Sequence, residues 1–264
     1  MNQTPLLSIS NLTVKFGGLV ALDDVHIEVQ ANTVVGLIGP NGAGKTTLFN
    51  SISGLVEPTA GAISIGGKSV SWPKPDQLPD YAIARTLQGV GLFTGLSVIE
   101  NVMMGADHLR TSNFAQDLFG LSTKAEKALR NRAMDALAWA GALPFADLQP
   151  GQLTYPDTKR VALARALVSE PKLLLLDEPA AGLGQDDIDR LAKLIKDLTR
   201  RCAVLLVEHH VDFVSEISDQ VYVLDFGKVI SSGTFDTVKR DPAVLAAYLG
   251  TNSQSGVDEL GSGH

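Results

Sequence analysis

The chain has 264 residues, with 22 basic and 29 acidic side chains and a net charge of −7; it contains no Lys/Arg-rich run, which argues against a nucleic-acid partner. Its one cysteine, Cys202, rules out an internal disulfide and fits a reducing compartment. No apolar run reaches bilayer-spanning length, and residues 1–10 lack the charged-then-apolar layout of a signal peptide, so the expectation is a soluble cytosolic protein with a large core.

Leu7 to Phe16 and Val20 to Val29 alternate apolar and polar residues, which predicts two half-buried antiparallel strands joined at Gly17-Gly18. Phe16 ends the first, where its ring is available either to the core or to a nucleotide base. Val34 to Ile38 reads as a buried strand, and Gly39-Pro40-Asn41-Gly42-Ala43-Gly44-Lys45-Thr46 follows it directly. The next residues, Thr47 to Ile52, place Leu48, Ile52 and Leu55 at helical spacing. Strand, glycine loop and helix together turn G-x-x-x-x-G-K-[ST] into a phosphate site: the glycines let successive N–H groups converge on one anion at a helix N-terminus. Lys45 would reach the β- and γ-phosphates, and the Thr46 hydroxyl would ligate Mg²⁺.

Farther on, Gly61–Ile65 and Lys68–Val70 flank Gly66-Gly67 as a hairpin, and Pro73, Pro75 and Pro79 predict an irregular edge rather than a helix. From Ser97 to about Leu143 the character becomes helical, with Ala125, Leu129, Ala133, Ala136, Leu137 and Ala140 at three- and four-residue steps. Thr158 to Val168 is a second helix, and Lys172 to Leu176 a strand covered on both faces. Asp186 to Arg201 carries Ile188, Leu191, Ile195 and Leu198 on one side. Strands at Ala203–Val207 and Gln220–Leu224 bracket a helix at Val211–Ile217, and Cys202 heads the first of them as a core thiol. This β/α alternation implies a mostly parallel sheet. Residues 251–264 are expected to be a disordered tail.

The strand at Lys172–Leu176 ends in Asp177-Glu178-Pro179. An acid at the carboxyl end of a buried parallel strand stands where such sheets bind ligands, so Asp177 is a candidate to hold Mg²⁺ through water. Glu178 is placed to polarise a water for attack on a γ-phosphate, a reaction that needs little beyond positioning and charge neutralisation. His26, His108 and His210 lack metal-ligand spacing.

These residues resemble the ATP-binding cassette (ABC) ATPases over nearly the whole chain, from about Leu6 to Gly250. Gly39–Thr46, continuing into Thr47, matches Walker A, and Leu173–Asp177 with Glu178 matches Walker B and the catalytic glutamate. Gln88 resembles the Q-loop glutamine, which the family uses to sense Mg²⁺ and to contact the membrane subunit; His209 resembles the switch histidine at the γ-phosphate. Phe16 stands where the family keeps an aromatic residue on adenine. The resemblance implies an α/β P-loop ABC-ATPase core with a parallel sheet, an N-terminal antiparallel β subdomain, and a helical subdomain inserted at about residues 97–165. It implies one nucleotide-binding domain over residues 1–250, bound to ATP and Mg²⁺ and hydrolysing ATP at the cytoplasmic face of the membrane beside transmembrane permease subunits. Ala84–Gln88, Leu92-Phe93, Val98–Val102 and Val244–Gly250 are most similar to ATPase subunits of branched-chain amino acid importers; urea or amide importers and lipopolysaccharide exporters are related alternatives.

One motif departs from the family. The signature L-S-x-G-Q stands here as Leu153-Thr154-Tyr155-Pro156-Asp157, and Gly184 occupies the position of the D-loop aspartate. Pro156 has no N–H to give, and Asp157 adds negative charge beside a triphosphate. Pairing with a different cassette that carries an intact signature is therefore expected over a homodimer. The competing classes are a regulatory cassette without useful hydrolysis and a non-transport cassette.

Overall fold

The computed structural model describes residues 4–86, 91–109 and 122–252, which fall into two compact units divided after Pro75 and after Leu194. In the first, β1 (Leu7–Phe16) and β2 (Leu19–Val29) pair antiparallel around the Gly17 turn, as their alternation requires, burying Leu7, Ile9, Leu12 and Val14 against the matching face of β2. Strand β3 (Val34–Ile38) is buried at all five positions and leads through the glycine loop into α1 (Lys45–Ile52). Strands β4 (Ala60–Ile65) and β5 (Lys68–Val70) form the predicted hairpin and complete a four-stranded antiparallel sheet in the order β2-β1-β4-β5.

The second unit begins with a correction. Pro75–Tyr81, expected to be irregular, is a 3-10 helix that takes Pro79 inside it. Proline's fixed φ of about −65° lies within the 3-10 range, so its ring is compatible with this turn at the cost of one N–H donor. Strand β6 (Ile83–Arg85) follows. Helix α2 (Val98–Met103) starts at a capping box in which Glu100 accepts the Ser97 N–H at 2.7 Å. Helices α3 (Ser122–Trp139) and α4 (Tyr155–Leu167) join it in one apolar cluster that includes Val98, Ile99, Val102, Leu137 and Val161. Alanines at 133, 136, 140 and 164 in that cluster permit close helix approach, which is what the three- and four-residue alanine spacing encodes. Strand β7 (Leu173–Asp177) lies parallel to β6, with Arg85 in register with Leu175. Helix α5 (Gln185–Leu198) runs out of this unit.

The chain then returns to the first unit. Strand β8 (Ala203–Val207) is buried throughout, α6 (Val211–Ile217) follows it, and β9 (Gln220–Asp225) and β10 (Lys228–Gly233) form a hairpin. β3 is flanked on both sides by parallel partners, β8 and β9, the arrangement that places the ends of several strands beside one loop. Two short helices close the described chain, α7 (Phe235–Val238) and α8 (Pro242–Asn252). α8 carries helix through Thr251 and Asn252, which corrects the expectation of a disordered tail at those two positions; residues 253–264 lie outside the described residues. Among the described residues no helix is long and apolar enough to cross a membrane.

Candidate functional site

The loop after β3 is a cradle of backbone. Gly39 (φ +150°), Gly42 (φ +80°) and Gly44 (φ +104°) all adopt conformations that side chains disfavour. At Gly39 a Cβ would stand 2.0 Å from the Leu224 carbonyl oxygen, and at Gly44 one would stand 2.8 Å from that of Ala21. Glycine is therefore demanded twice over, by torsion and by space. The Gly227 N–H donates to the Ala43 carbonyl at 2.9 Å, so the β9–β10 turn braces the loop from outside. Lys45 opens α1 and is buried; its ammonium donates to the carbonyls of Gly39 (2.7 Å) and Pro40 (2.8 Å). A buried cation over a glycine loop at a helix start has the chemistry of an anion-binding site. Thr46 is exposed on the first turn of α1, with Thr47 beside it, and Asn41 is exposed on the loop. Phe16 ends β1 and is 52% exposed.

At the end of β8 an acid with no role in the motifs takes charge of the local backbone. Glu208 is buried, and its Oε2 accepts the N–H groups of His209 (2.9 Å) and His210 (3.2 Å), while the Glu208 N–H reaches the Leu37 carbonyl of β3 at 3.4 Å. The exposed His209 is thus held at the carboxyl end of β3's neighbour. The chain does carry a signal for Glu208: an acid directly after five apolar strand residues, the same pattern as Leu173–Leu176 and Asp177.

In the second unit Asp177 ends β7 with 1% of its side chain exposed. Arg85, on the parallel β6, donates to Asp177 Oδ2 at 2.9 Å, while Asp177 Oδ1 is buried and receives no hydrogen bond from the described residues. A buried anionic oxygen without a donor has the chemistry of a cation ligand, so the donor set fits Mg²⁺. Glu178 follows at φ +47°, a left-handed conformation that costs a residue with a side chain on the order of 1–3 kcal/mol. Strain of this kind persists only where neighbours over-determine it. Two of them do so here: the Ala181 N–H (3.2 Å) and the Lys159 ammonium (3.2 Å) both donate to the Glu178 carbonyl. Arg85 and Lys159 carry no motif of their own, because each acts on a residue about 20 or 90 positions away. Gln88 lies outside the described residues.

The altered signature forms the start of α4. Thr154 is the N-cap, Pro156 falls in the first turn, and the helix begins at Tyr155, earlier than the predicted Thr158. Pro is tolerated there because the first N–H groups of a helix have no intrahelical partner. The Thr154 hydroxyl donates to Asp157 Oδ2 at 2.6 Å, and Arg160 donates to Asp157 Oδ1 at 3.1 Å and to Asp187 at 3.0 Å. Both oxygens of Asp157 are therefore engaged within the chain, and the helix start is supplied with its own anion.

Comparison with known proteins meets this geometry at the family level. The family model described as "ABC transporter" matches residues 22–181, and that for the "Branched-chain amino acid ATP-binding cassette transporter" matches residues 228–252. The chain belongs to the ABC transporter family. It is 39% identical over 251 residues to the high-affinity branched-chain amino acid transport ATP-binding protein LivG of Escherichia coli (strain K12), covering 93% of this chain and 98% of that one. The corresponding protein BraF of Pseudomonas aeruginosa is 36% identical over 252 residues, with the same coverage. Among solved structures, an ATP-binding cassette of an ABC transporter in its ADP conformation superposes with a TM-score of 0.81 at 29% identity, over 93% of this chain and 99% of its own. The fold is that of an ABC cassette, and the family's activity is ATP hydrolysis coupled to transport.

Proposed function

We propose that this chain is the ATP-hydrolysing subunit of an importer for branched-chain amino acids, docked on transmembrane permease subunits at the cytoplasmic face of the membrane. The observation that carries the nucleotide half is the Gly39–Thr46 cradle with Lys45 folded over it. The cargo half rests on the relatives, which span nearly the full length of the chain.

In this reading the loop N–H groups and Lys45 would bind the β- and γ-phosphates, the Phe16 ring would stack on adenine, and the Thr46 hydroxyl and, through water, Asp177 would be the residues that hold Mg²⁺. Mg²⁺ when bound neutralises charge on the phosphates. Glu178 accepts the proton of the attacking water, and His209, steadied by Glu208, and Gln88 complete the environment of the γ-phosphate. The helical insertion at about residues 97–165 carries the permease contact.

The self-capped signature favours a heterodimer. The α4 N-terminus is engaged by Asp157, so a nucleotide presented to it meets a carboxylate and one fewer N–H. A partner cassette with an intact signature would complete one active composite site, and the site using Thr154–Asp157 would be slow.

Reconstitution tests the whole reading. The chain, its copurifying permease subunits and any second cassette should drive ATP-dependent uptake of leucine, isoleucine or valine into vesicles, and Glu178→Gln should abolish it. Uptake that persists in Glu178→Gln would overturn the catalytic assignment; a complex that takes up no branched-chain amino acid would overturn the cargo.

A further inference from the structure

Lys159 lies one turn into α4 and reaches out of its own helix. Its ammonium donates to two consecutive carbonyls beyond the end of β7, those of Glu178 (3.2 Å) and Pro179 (3.0 Å), and it lies 5.3 Å from the centroid of the Tyr155 ring. Tyr155 in turn donates its hydroxyl to the Ala181 carbonyl at 3.4 Å, so two side chains from the start of α4 grip the four-residue segment Glu178–Ala181. Lys159 is half-buried and borders, with Trp139, Leu163, Glu178 and Leu191, a cavity of about 660 Å³. A cation in such a partly desolvated place binds carbonyl oxygens more strongly than it would in water.

We infer that Lys159 is the positioning residue for Glu178: by clamping the Glu178 and Pro179 carbonyls it holds the left-handed turn from which the Glu178 carboxylate projects, and it ties that turn to the helix that opens at Thr154. The inference rests on Glu178 being the general base, as proposed above. A residue at φ +47° has alternative, less strained conformations on either side, and any of them swings the carboxylate away. Charge-assisted bonds to two adjacent carbonyls oppose that rotation directly, whereas the Ala181 N–H fixes only one of them. The start of α4 and the orientation of Glu178 are consequently one mechanical unit. A shift of α4's first turn is passed to the carboxylate through a side chain that touches no reacting atom.

The test compares Lys159→Met, which keeps the stem and loses the donor, and Lys159→Arg, which restores a cation, in the assembled transporter complex. Turnover of Lys159→Met should fall on the order of ten- to a hundredfold, the cost of a small misplacement of a catalytic group, with the KM for ATP nearly unchanged. Lys159→Arg should recover part of the loss. Single-turnover rates of Glu178→Gln with and without Lys159→Met then separate the two claims. If Lys159 acts through Glu178, its removal has no further effect once the carboxylate is gone. The same fold-loss in both backgrounds, or an unchanged kcat in Lys159→Met, overturns the inference. A Glu178→Gln protein with full turnover overturns instead the assignment of the base. Should Lys159→Met unfold, Lys159→Arg carries the comparison: wild-type kcat in a variant that no longer bonds both carbonyls in its crystal structure would overturn the strut.

Discussion

Arg85 and Asp177 meet across adjacent parallel strands, guanidinium to Oδ2 at 2.9 Å, with 9% and 1% of their side chains exposed. The pair neutralises a carboxylate that would otherwise be buried alone, and it directs that carboxylate so that Oδ1 remains the oxygen available to a cation. Breaking such a pair from one side is costlier than never having built it, since the surviving charge has no water to turn to. Arg85→Ala should therefore lower unfolding stability by about 3–5 kcal/mol in urea titration, and Arg85→Lys by less. An Arg85→Ala protein with the wild-type urea midpoint would show that the pair contributes nothing to the fold.

The glycine cradle predicts two distinct failures. Lys45→Ala removes a charged donor from the phosphate site, so ATP affinity should fall roughly ten- to a hundredfold, the equivalent of about 1.5–3 kcal/mol, with a smaller drop in melting temperature from the lost bonds to the Gly39 and Pro40 carbonyls than Gly39→Ala causes. Gly39→Ala acts on the fold instead, because the new Cβ would meet the Leu224 carbonyl at 2.0 Å and the φ of +150° suits only glycine. Its signature should be a lowered melting temperature even without nucleotide. Fluorescent-nucleotide titration and thermal scans read the two separately.

Asp157 predicts a gain. Replacing Pro156 by Gly and Asp157 by Gln restores an N–H and removes the carboxylate that Thr154 and Arg160 now hold. ATP turnover of the assembled transporter should rise, by on the order of tenfold if one hydrogen bond to a charged group is regained. No rise would mean that the substitutions are neutral and would remove the case for one slow composite site.

Cys202 gives a pH-dependent outcome. It is buried, and burial pushes the thiol up from 9.0 to about 11, with Arg201 opposing weakly. The folded state thus keeps its proton where the unfolded chain would lose it. Stability from this group is complete below about pH 9 and is lost as pH rises toward about 11. Iodoacetamide at pH 8 should leave Cys202 unmodified until the protein is denatured, as intact mass spectrometry would record; modification of the native protein would place the thiol at the surface.

Elements with a strong local pattern are legible in the residues alone. The apolar runs of β3, β7 and β8, the boundaries of α6, and the glycine loop all stand where their residues predict them. Short or terminal elements are not. β6 has three residues, and β10 and α8 have mixed patterns that acquire meaning only against β9 and the rest of the sheet. The sequence pattern puts the start of α4 too late because a proline near a helix start reads either as a break or as a first-turn residue, and the Thr154–Asp157 cap is what decides.

The same division holds for the chemistry. The sequence by itself pointed to the phosphate loop and to the acids Asp177 and Glu178, because each is specified by neighbours within a few residues: glycines that permit the torsions, an apolar strand that delivers an acid to its end; His209 stood out only through the resemblance to the ABC ATPases. Only the tertiary structure decided what holds those groups. Arg85 on Asp177, Lys159 on the Glu178 carbonyl and Arg160 on Asp187 are choices made by strand register and by helices packed over strand ends. A hydrogen bond between residues far apart in the chain forms where packing brings donor and acceptor within about 3 Å, and no periodicity along the chain encodes that distance.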